Sequence, residues 1–458
     1  MKTIKYAGEY DISDLKLFTA SGNVIKLDAL YQSLDIYENM FSNSLTGSII
    51  FIDNNNLVMN APITGQEYLT FKITTPGLDE LSMDFSQTAM AVYKIDARKA
   101  ERGNEVVQLH FCSPELLRNE RTRISKSYEG TISQIVSRIL TDEKYINTSK
   151  PLFIEPTKGI KRYVCANKNP FAFIRDLTTE AISAENGSPN YVFFENTHGI
   201  HFRTLDSLYV KDIRGIFIAS DKGDINIAEG GVTNVKEDMR RVLDYDIVSN
   251  NDTRQNIKQG MLGSKTISYN IFEKDYEVTK YDYFDDFNEF KRVSDNDEND
   301  NPIYNRAPVD EFLNDMGNFK DARIFLHSTS KTGEFDGQNY FDTDARLTPN
   351  DVHKTVSHRY AKNTELDNGV KINMEVNGNT TINTGSLIDF QLPVIGATHA
   401  GHINDIYHSG KFLMTKAKHT FESNGKRYKI FFSAVKDSFN SELPDGKHEA
   451  IEPKQIYR

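Results

Sequence analysis

The sequence predicts a multidomain, mostly β chain with an α+β insert, and three observations carry that expectation. At 458 residues the chain exceeds one ordinary core, and typical domain sizes of ~100–200 residues lead to about two to four domains. Apolar and polar residues alternate with period two near both ends. Leu69, Phe71 and Ile73 point one way while Thr70, Lys72 and Thr74 point the other, and Val370, Ile372, Met374 and Val376 do the same against Lys371, Asn373, Glu375 and Asn377. Between these ends the period switches to that of a helix: Ile132, Ile135, Val136, Ile139 and Leu140 fall on one helical face, with Ser133, Ser137 and Arg138 outside it.

Taken in order, the stretch 27–74 reads as three β-segments and a turn-rich connection. Leu34 and Ile36 alternate with Ser33 and Asp35, and Ile49 and Phe51 with Ser48 and Ile50. Asp53, Asn54, Asn55 and Asn56, then Pro62 and Gly65, favour turns because they bond their own backbone or supply special φ values. An antiparallel sheet with one wet face is the local expectation. Further strands are expected over 85–98 and 106–111, joined by a charged hairpin over 99–104 that holds Gly103, and Ser113-Pro114-Glu115 breaks the pattern. A first β domain over 1–115 follows.

An α/β domain over 116–210 comes next. Its second helix opens at Asn169-Pro170, a cap residue followed by a proline tolerated at the first helical position, and runs through Phe173, Ile174, Leu177 and Ala181. A hairpin follows, 191–195 and 200–203 about a turn at 197–199. The middle, 211–360, mixes a helix around 235–243 with strands over 265–272 and 276–283, an acidic loop at 294–301 and a loop over 331–344. The last β domain, 361–440, has a tight turn at Asn377-Gly378, a strand holding Ile388, Phe390 and Leu392, and a hairpin of 412–421 with 428–435 about Ser423-Asn424-Gly425-Lys426. A tail, 441–458, closes the chain.

Composition removes several function classes. Hydrophobic content of 38% and charged content of 26% fit a polar globular protein. A formal net charge of -11 argues against nucleic-acid binding, which rests on Lys and Arg releasing counterions from phosphates. Two cysteines, Cys112 and Cys165, make no disulfide framework. The opening residues carry no apolar run of a signal peptide, and no apolar stretch reaches the ~20 residues a membrane span requires, so no membrane anchoring is expected.

The candidate chemistries are thin. The run SDNDENDN at 294–301 offers Asp295 and Asp297 at a calcium-like spacing, but has neither a turn glycine nor a closing Glu. His399, His402 and His408, near Asp405, have no Glu beside the first His, and Gly401 favours a loop. His198 and His201 lie in the expected hairpin, where their side chains point to opposite sides. There is no nucleophile elbow, phosphate loop or CxxC. No catalytic, cofactor-binding or metal-binding residue is therefore expected, and the expectation is a protein that is not an enzyme.

One block does carry a resemblance. Tyr37-Glu38, Leu45-Thr46-Gly47-Ser48, Ile52-Asp53 and Pro62-Ile63-Thr64-Gly65-Gln66-Glu67 resemble, in order, the N-terminal block of the baseplate hub proteins of contractile-tailed bacteriophages, a family that includes the T-even hub and is related to the hub portion of type VI secretion spike proteins. The stretch from Lys168 to Ala181 with the following hairpin is similar to the family's α/β insert, and 361–440 looks like its second tube-type barrel. The resemblance implies two tail-tube-like antiparallel β-barrels, an α/β insert and a less regular middle domain. It implies a homotrimer whose six barrels form a pseudo-hexameric ring between a sixfold tail tube and a threefold central spike, with baseplate wedge proteins around it. DNA passes through the channel of such a ring without specific binding. The implied place is the tail baseplate of a virion assembled in the host cytoplasm. The motif positions Tyr37, Glu38, Gly47, Asp53, Pro62, Gly65, Gln66 and Glu67 then shape the backbone and its turns. The alternatives are a receptor- or glycan-binding tail adhesin, against which stand the lack of Trp and of repeats, and a tail hydrolase using a pair of carboxylates.

Overall fold

The computed structural model describes residues 4–53, 63–78, 81–101, 104–219, 235–249, 252–270, 274–289, 291–294, 301–304, 308, 319–328, 334–335, 338–339, 351–394 and 404–441. The N-terminal block holds β1 (Asp11–Phe18), β2 (Val24–Lys26), β3 (Tyr31–Asn39), β4 (Thr46–Asp53), β5 (Tyr68–Thr74), β6 (Met83–Asp84), β7 (Met90–Glu101) and β8 (Asn104–Cys112). The period-two residues do what their phase demands: Leu34, Ile36, Ile49, Phe51, Leu69, Phe71 and Ile73 are all buried. Ser113-Pro114-Glu115 breaks the strand pattern as expected: β8 stops at Cys112 and the helix Pro114–Arg121 starts, because a proline at the first helical position removes only an N–H that has no intrahelical partner there.

The insert follows with β9 (Ile124–Gly130), helix Ile132–Thr141, β10 (Leu152–Ile154), β11 (Lys161–Lys168), helix Pro170–Thr178, β12 (Tyr191–Asn196) and β13 (Gly199–Thr204). Thr131 caps the first helix by accepting from Gln134 N, while the Gln134 side chain accepts from Thr131 N. The five apolar residues of its expected face are buried, and with Phe171, Phe173, Ile174 and Phe202 they form a core of the insert's own.

The middle and C-terminal strands are β14 (Ile213–Ile218), β15 (Val242–Ser249), β16 (Gly263–Asn270), β17 (Asp275–Asp282), β18 (Ile324–Ser328), β19 (Glu334–Phe335), β20 (Gln338–Asn339), β21 (Val370–Asn377), β22 (Leu387–Gln391), β23 (Gly410–Glu422) and β24 (Arg427–Lys436). The helix expected around 235–243 is shorter, Val235–Arg240, and gives way to β15, where Leu243, Tyr245 and Ile247 alternate with Asp244 and Asp246. Residues 295–300 of the acidic run and most of 331–344 lie outside the described residues.

The two β blocks are joined. One sheet runs β15-β21-β24-β23-β3-β4-β8-β7-β5-β1-β2, with β14, β22 and β6 attached beside this path, for 14 strands in all. The junction is antiparallel pairing of β23 with β3, from Lys416 opposite Asn39 to Glu422 opposite Ser33. Apolar residues of both blocks form a single core, from Leu15 and Phe71 to Ile372 and Phe432. Where two barrels were expected, no closed barrel is found among the described residues.

Candidate functional site

Glu38 continues the core-facing phase of β3, after Leu34 and Ile36, and is 2% exposed. A carboxylate so placed must be satisfied by fixed donors. It is: Thr197 N, in the turn between β12 and β13, donates to Oε1 at 2.8 Å, and Thr384 N, in the loop before β22, donates to Oε2 at 2.5 Å. His419 of β23 lies with Nε2 3.7 Å from Oε2, ion-pair rather than hydrogen-bond distance, and its Nδ1 contacts the Tyr428 hydroxyl at 2.8 Å. Burial works against ionisation of Glu38, but His419 and the two backbone donors overcome it and hold the carboxyl below its usual range. One side chain of the first block thereby pins the insert and the C-terminal block together.

The other motif residues shape the backbone around it. A Cβ on Gly47 would lie 2.3 Å from Phe111 Cζ and 2.5 Å from the Asp35 carbonyl oxygen, so only glycine fits where β4 crosses that ring. Gly65 has φ +88°, in the left-handed region, and the fully buried Glu67 carboxylate accepts from Thr64 N at 2.6 Å and Gly65 N at 2.8 Å to fix that turn. Asp53 is buried at the end of β4, in phase with Ile49 and Phe51. Gln66 is exposed. Tyr37 is half-exposed and lines an open groove of about 530 Å³ across β15, β21, β24, β23 and β3, with Lys418 5.7 Å from its ring. Pro62 lies outside the described residues. The structure thus brings Gly65, Gln66 and Glu67 into one turn, away from the Glu38 junction.

No family model matches the chain. In sequence it is 22% identical over 403 residues to the "Probable baseplate hub protein gp334" of Vibrio phage KVP40, a span covering 85% of this chain and 86% of that protein. The chain is similar to a phage baseplate hub protein. In fold, the chain is similar to the tail protein from Neisseria meningitidis MC58, which superposes with a TM-score of 0.52 at 8% identity, covering 94% of this chain and 97% of that one. The E. coli c3393 protein, described as a component of the type VI secretion system with structural similarity to T4 bacteriophage tail proteins gp27 and gp5, gives a TM-score of 0.42 at 10% identity, over 93% of this chain and 76% of that one.

Two further buried clusters were not anticipated from sequence. Lys150 donates to Glu195 at 2.6 Å and to Glu115 at 2.9 Å, and Glu195 also accepts from Leu45 N at 3.0 Å and Ser113 Oγ at 2.8 Å, tying the insert to the first block. Burial pushes the Glu195 carboxyl up against the pull of Lys150; burial also opposes ionisation of Glu115, where the Lys150 charge prevails and lowers it. Arg292 pairs with Glu365, and Lys362 with Asp437 at 2.5 Å, between the middle segment, the helix Arg359–Asn368 and the end of β24. The only signal for these was an acid in phase with apolar residues, as Glu195 is with Tyr191 and Phe193.

His408 Nδ1 meets Asp405 Oδ2 at 2.9 Å, whereas His399 and His402 lie outside the described residues. His201 is stacked between Phe153 and Phe194, at 4.6 and 4.8 Å between ring centres. Among the described residues no group of three His, Cys, Asp or Glu side chains is arranged to hold a metal ion.

Proposed function

We propose that this chain is a structural baseplate hub subunit of a contractile phage tail. The observation that carries the reading is the end-to-end likeness to a baseplate hub protein, 85% of this chain against 86% of its relative. The buried ionic clusters support it: each ties separate chain segments together, as a frame under mechanical stress requires.

In this reading the protein trimerises, and its two β blocks supply six quasi-equivalent units to a ring that matches a sixfold tail tube above and a threefold central spike below. Such an interface is heterologous and closes on itself. Wedge proteins contact the outside, and the virion tail, assembled in the host cytoplasm, is its place. The net charge of -11 suits a channel that passes DNA without retaining it. The motif residues act by shape: Glu38 at the junction, Gly47, Gly65 and Glu67 in the backbone.

Sedimentation of the purified protein across a concentration range tests the proposal, alone and with the cognate spike. A mass three times that of the 52.2 kDa chain is expected in at least the spike-bound sample. A monomer under both conditions overturns the ring.

A further inference from the structure

The long sheet contains one arrangement twice. In the first block four strands stand side by side as β3-β4-β8-β7, and in the last as β15-β21-β24-β23. Ranked by their order in the chain, both sets read first, second, fourth, third, and every neighbouring pair within them is antiparallel. The third strands agree in a further detail. β23 pairs with β22 over 410–413, shifts register between Met414 and Lys416, and from Lys416 onward pairs with β3. β7 pairs with β5 at Met90 and Ala91 and shifts register between Val92 and Lys94. From Lys94 onward it has no strand on that side among the described residues. A bulge bends its strand and raises the local twist, so the same device lets both strands leave one neighbour and turn toward another.

For β23 that second neighbour is β3, the first strand of the other set. The counterpart of β3 is β15, and apart from a single bridge of Ile218 to Arg241 just before it, β15 has no strand on its outer side among the described residues. Side chains on both open edges are placed for a neighbour. Ile95 of β7 stands opposite Leu109, and Tyr245 of β15 opposite Met374; both partners are buried, so Ile95 and Tyr245 belong to the core-facing side. Yet Ile95 is 37% exposed and Tyr245 41%. Their counterparts at the β23–β3 junction, Ala417 and Leu34, are buried. Charge agrees with the match: β15 carries Asp244 and Asp246 and no cation, while β7 beyond its bulge carries Lys94, Arg98 and Lys99 against Asp96 and Glu101.

We propose that β7 of one copy of this chain pairs antiparallel with β15 of a second copy, repeating between chains the β23–β3 junction within one. Aligning the two sets on their bulges fixes the register. Asp246 takes the place of Asp35 and Val248 that of Tyr37, so Val248 of one copy stands opposite Ala97 of the next, and Asp246 opposite Lys99. The inference rests on the ring of copies proposed above and adds which strands meet in it. Three copies joined in this way leave neither edge open, and the barrel that a single chain lacks closes across chains. Unpaired edges of this length otherwise invite indiscriminate pairing.

The double variant Ala97→Cys/Val248→Cys tests the pairing. Directly opposed residues of antiparallel strands have Cα atoms about 4.5–5.5 Å apart, within disulfide reach. Inside one chain β7 and β15 are seven strand steps apart, roughly 30 Å along the sheet, so a bond between them joins two chains. The native Cys112 and Cys165 are buried. The full-length variant, alone and with the cognate spike, is oxidised with diamide and followed by sedimentation and non-reducing electrophoresis. Disulfide-linked species ending at three chains are expected, at least tenfold more abundant than in the shifted pair Ala97→Cys/Asp244→Cys or in either single variant. Ile95→Lys, a change at a site exposed in the single chain, should weaken association at least tenfold while the chain stays folded. A threefold mass without cross-linking above the shifted pair overturns the strand pairing and leaves the ring standing, as does cross-linking by Val248→Cys alone or undiminished association of Ile95→Lys. A monomer under both conditions overturns the ring and the pairing together.

Discussion

Replacing Glu38 by Gln tests whether one buried carboxylate holds three chain segments in register. The wild-type group accepts two buried backbone hydrogen bonds, from Thr197 and Thr384. Glutamine keeps one acceptor oxygen and turns an amide N–H₂ toward the other donor. One charge-assisted hydrogen bond, about 1.5–3 kcal/mol, is therefore lost, and the attraction to His419 goes with it. Relief from desolvating the carboxylate offsets part of this, leaving a net loss of about 2–3 kcal/mol. Urea unfolding should register that loss, and amide exchange should accelerate at Thr197 and Thr384 before the rest of the sheet. The pH dependence has a fixed sign: a carboxyl lowered in the fold contributes stability above its unfolded value near 4.5, and loses it as pH falls through the folded value. Glu38→Gln should flatten that acid limb. A variant within about 0.5 kcal/mol of wild type, with unchanged exchange at both threonines, refutes the reasoning.

Three other outcomes follow from the same geometry. Gly47→Ala drives a methyl into Phe111 and the Asp35 carbonyl, and should cost about 3 kcal/mol in thermal unfolding, with only partial recovery in a Phe111→Ala background because the backbone oxygen stays in place. Gly65→Val forces a β-branched residue to φ +88° and should lower stability or assembly by about 1–3 kcal/mol; normal unfolding and normal assembly would contradict it. His201 is kept neutral down to about pH 3 by burial and by Lys211 and Arg203. The unfolded chain binds that proton near pH 6.5, so stability should fall below pH 6.5 by up to about 1.4 kcal/mol per unit, and His201→Phe should remove about one proton from the measured slope.

The strands and the insert's helices were legible because their apolar faces keep a strict period. Leu69-Phe71-Ile73 and Ile132-Ile135-Val136-Ile139 each describe one buried face, and each is found as such. The helix Arg359–Asn368 was not legible: its buried residues include Lys362, Thr364 and Glu365, satisfied by Asp437 and Arg292 from distant segments. Local hydropathy reads such a segment as solvated. The Glu38 junction was half legible. The residue was singled out with its block, but its partners Thr197, Thr384 and His419 are 159 to 381 positions away, and no spacing rule reaches that far.

The pairing of β3 with β23 has a consequence for how the chain is made. The N-terminal strand is complete by Asn39, while its neighbour starts at Gly410. At roughly 5–20 residues per second, a ribosome spends about 20–75 s on the intervening segment. Throughout that interval β3 presents an unpaired edge, with an acid meant for the interior and no second block to close over it. Exposed edges of this kind invite pairing with the wrong chain. The nascent N-terminal block therefore faces its greatest hazard when many copies are synthesised at once, and a late-made C-terminal hairpin ends it.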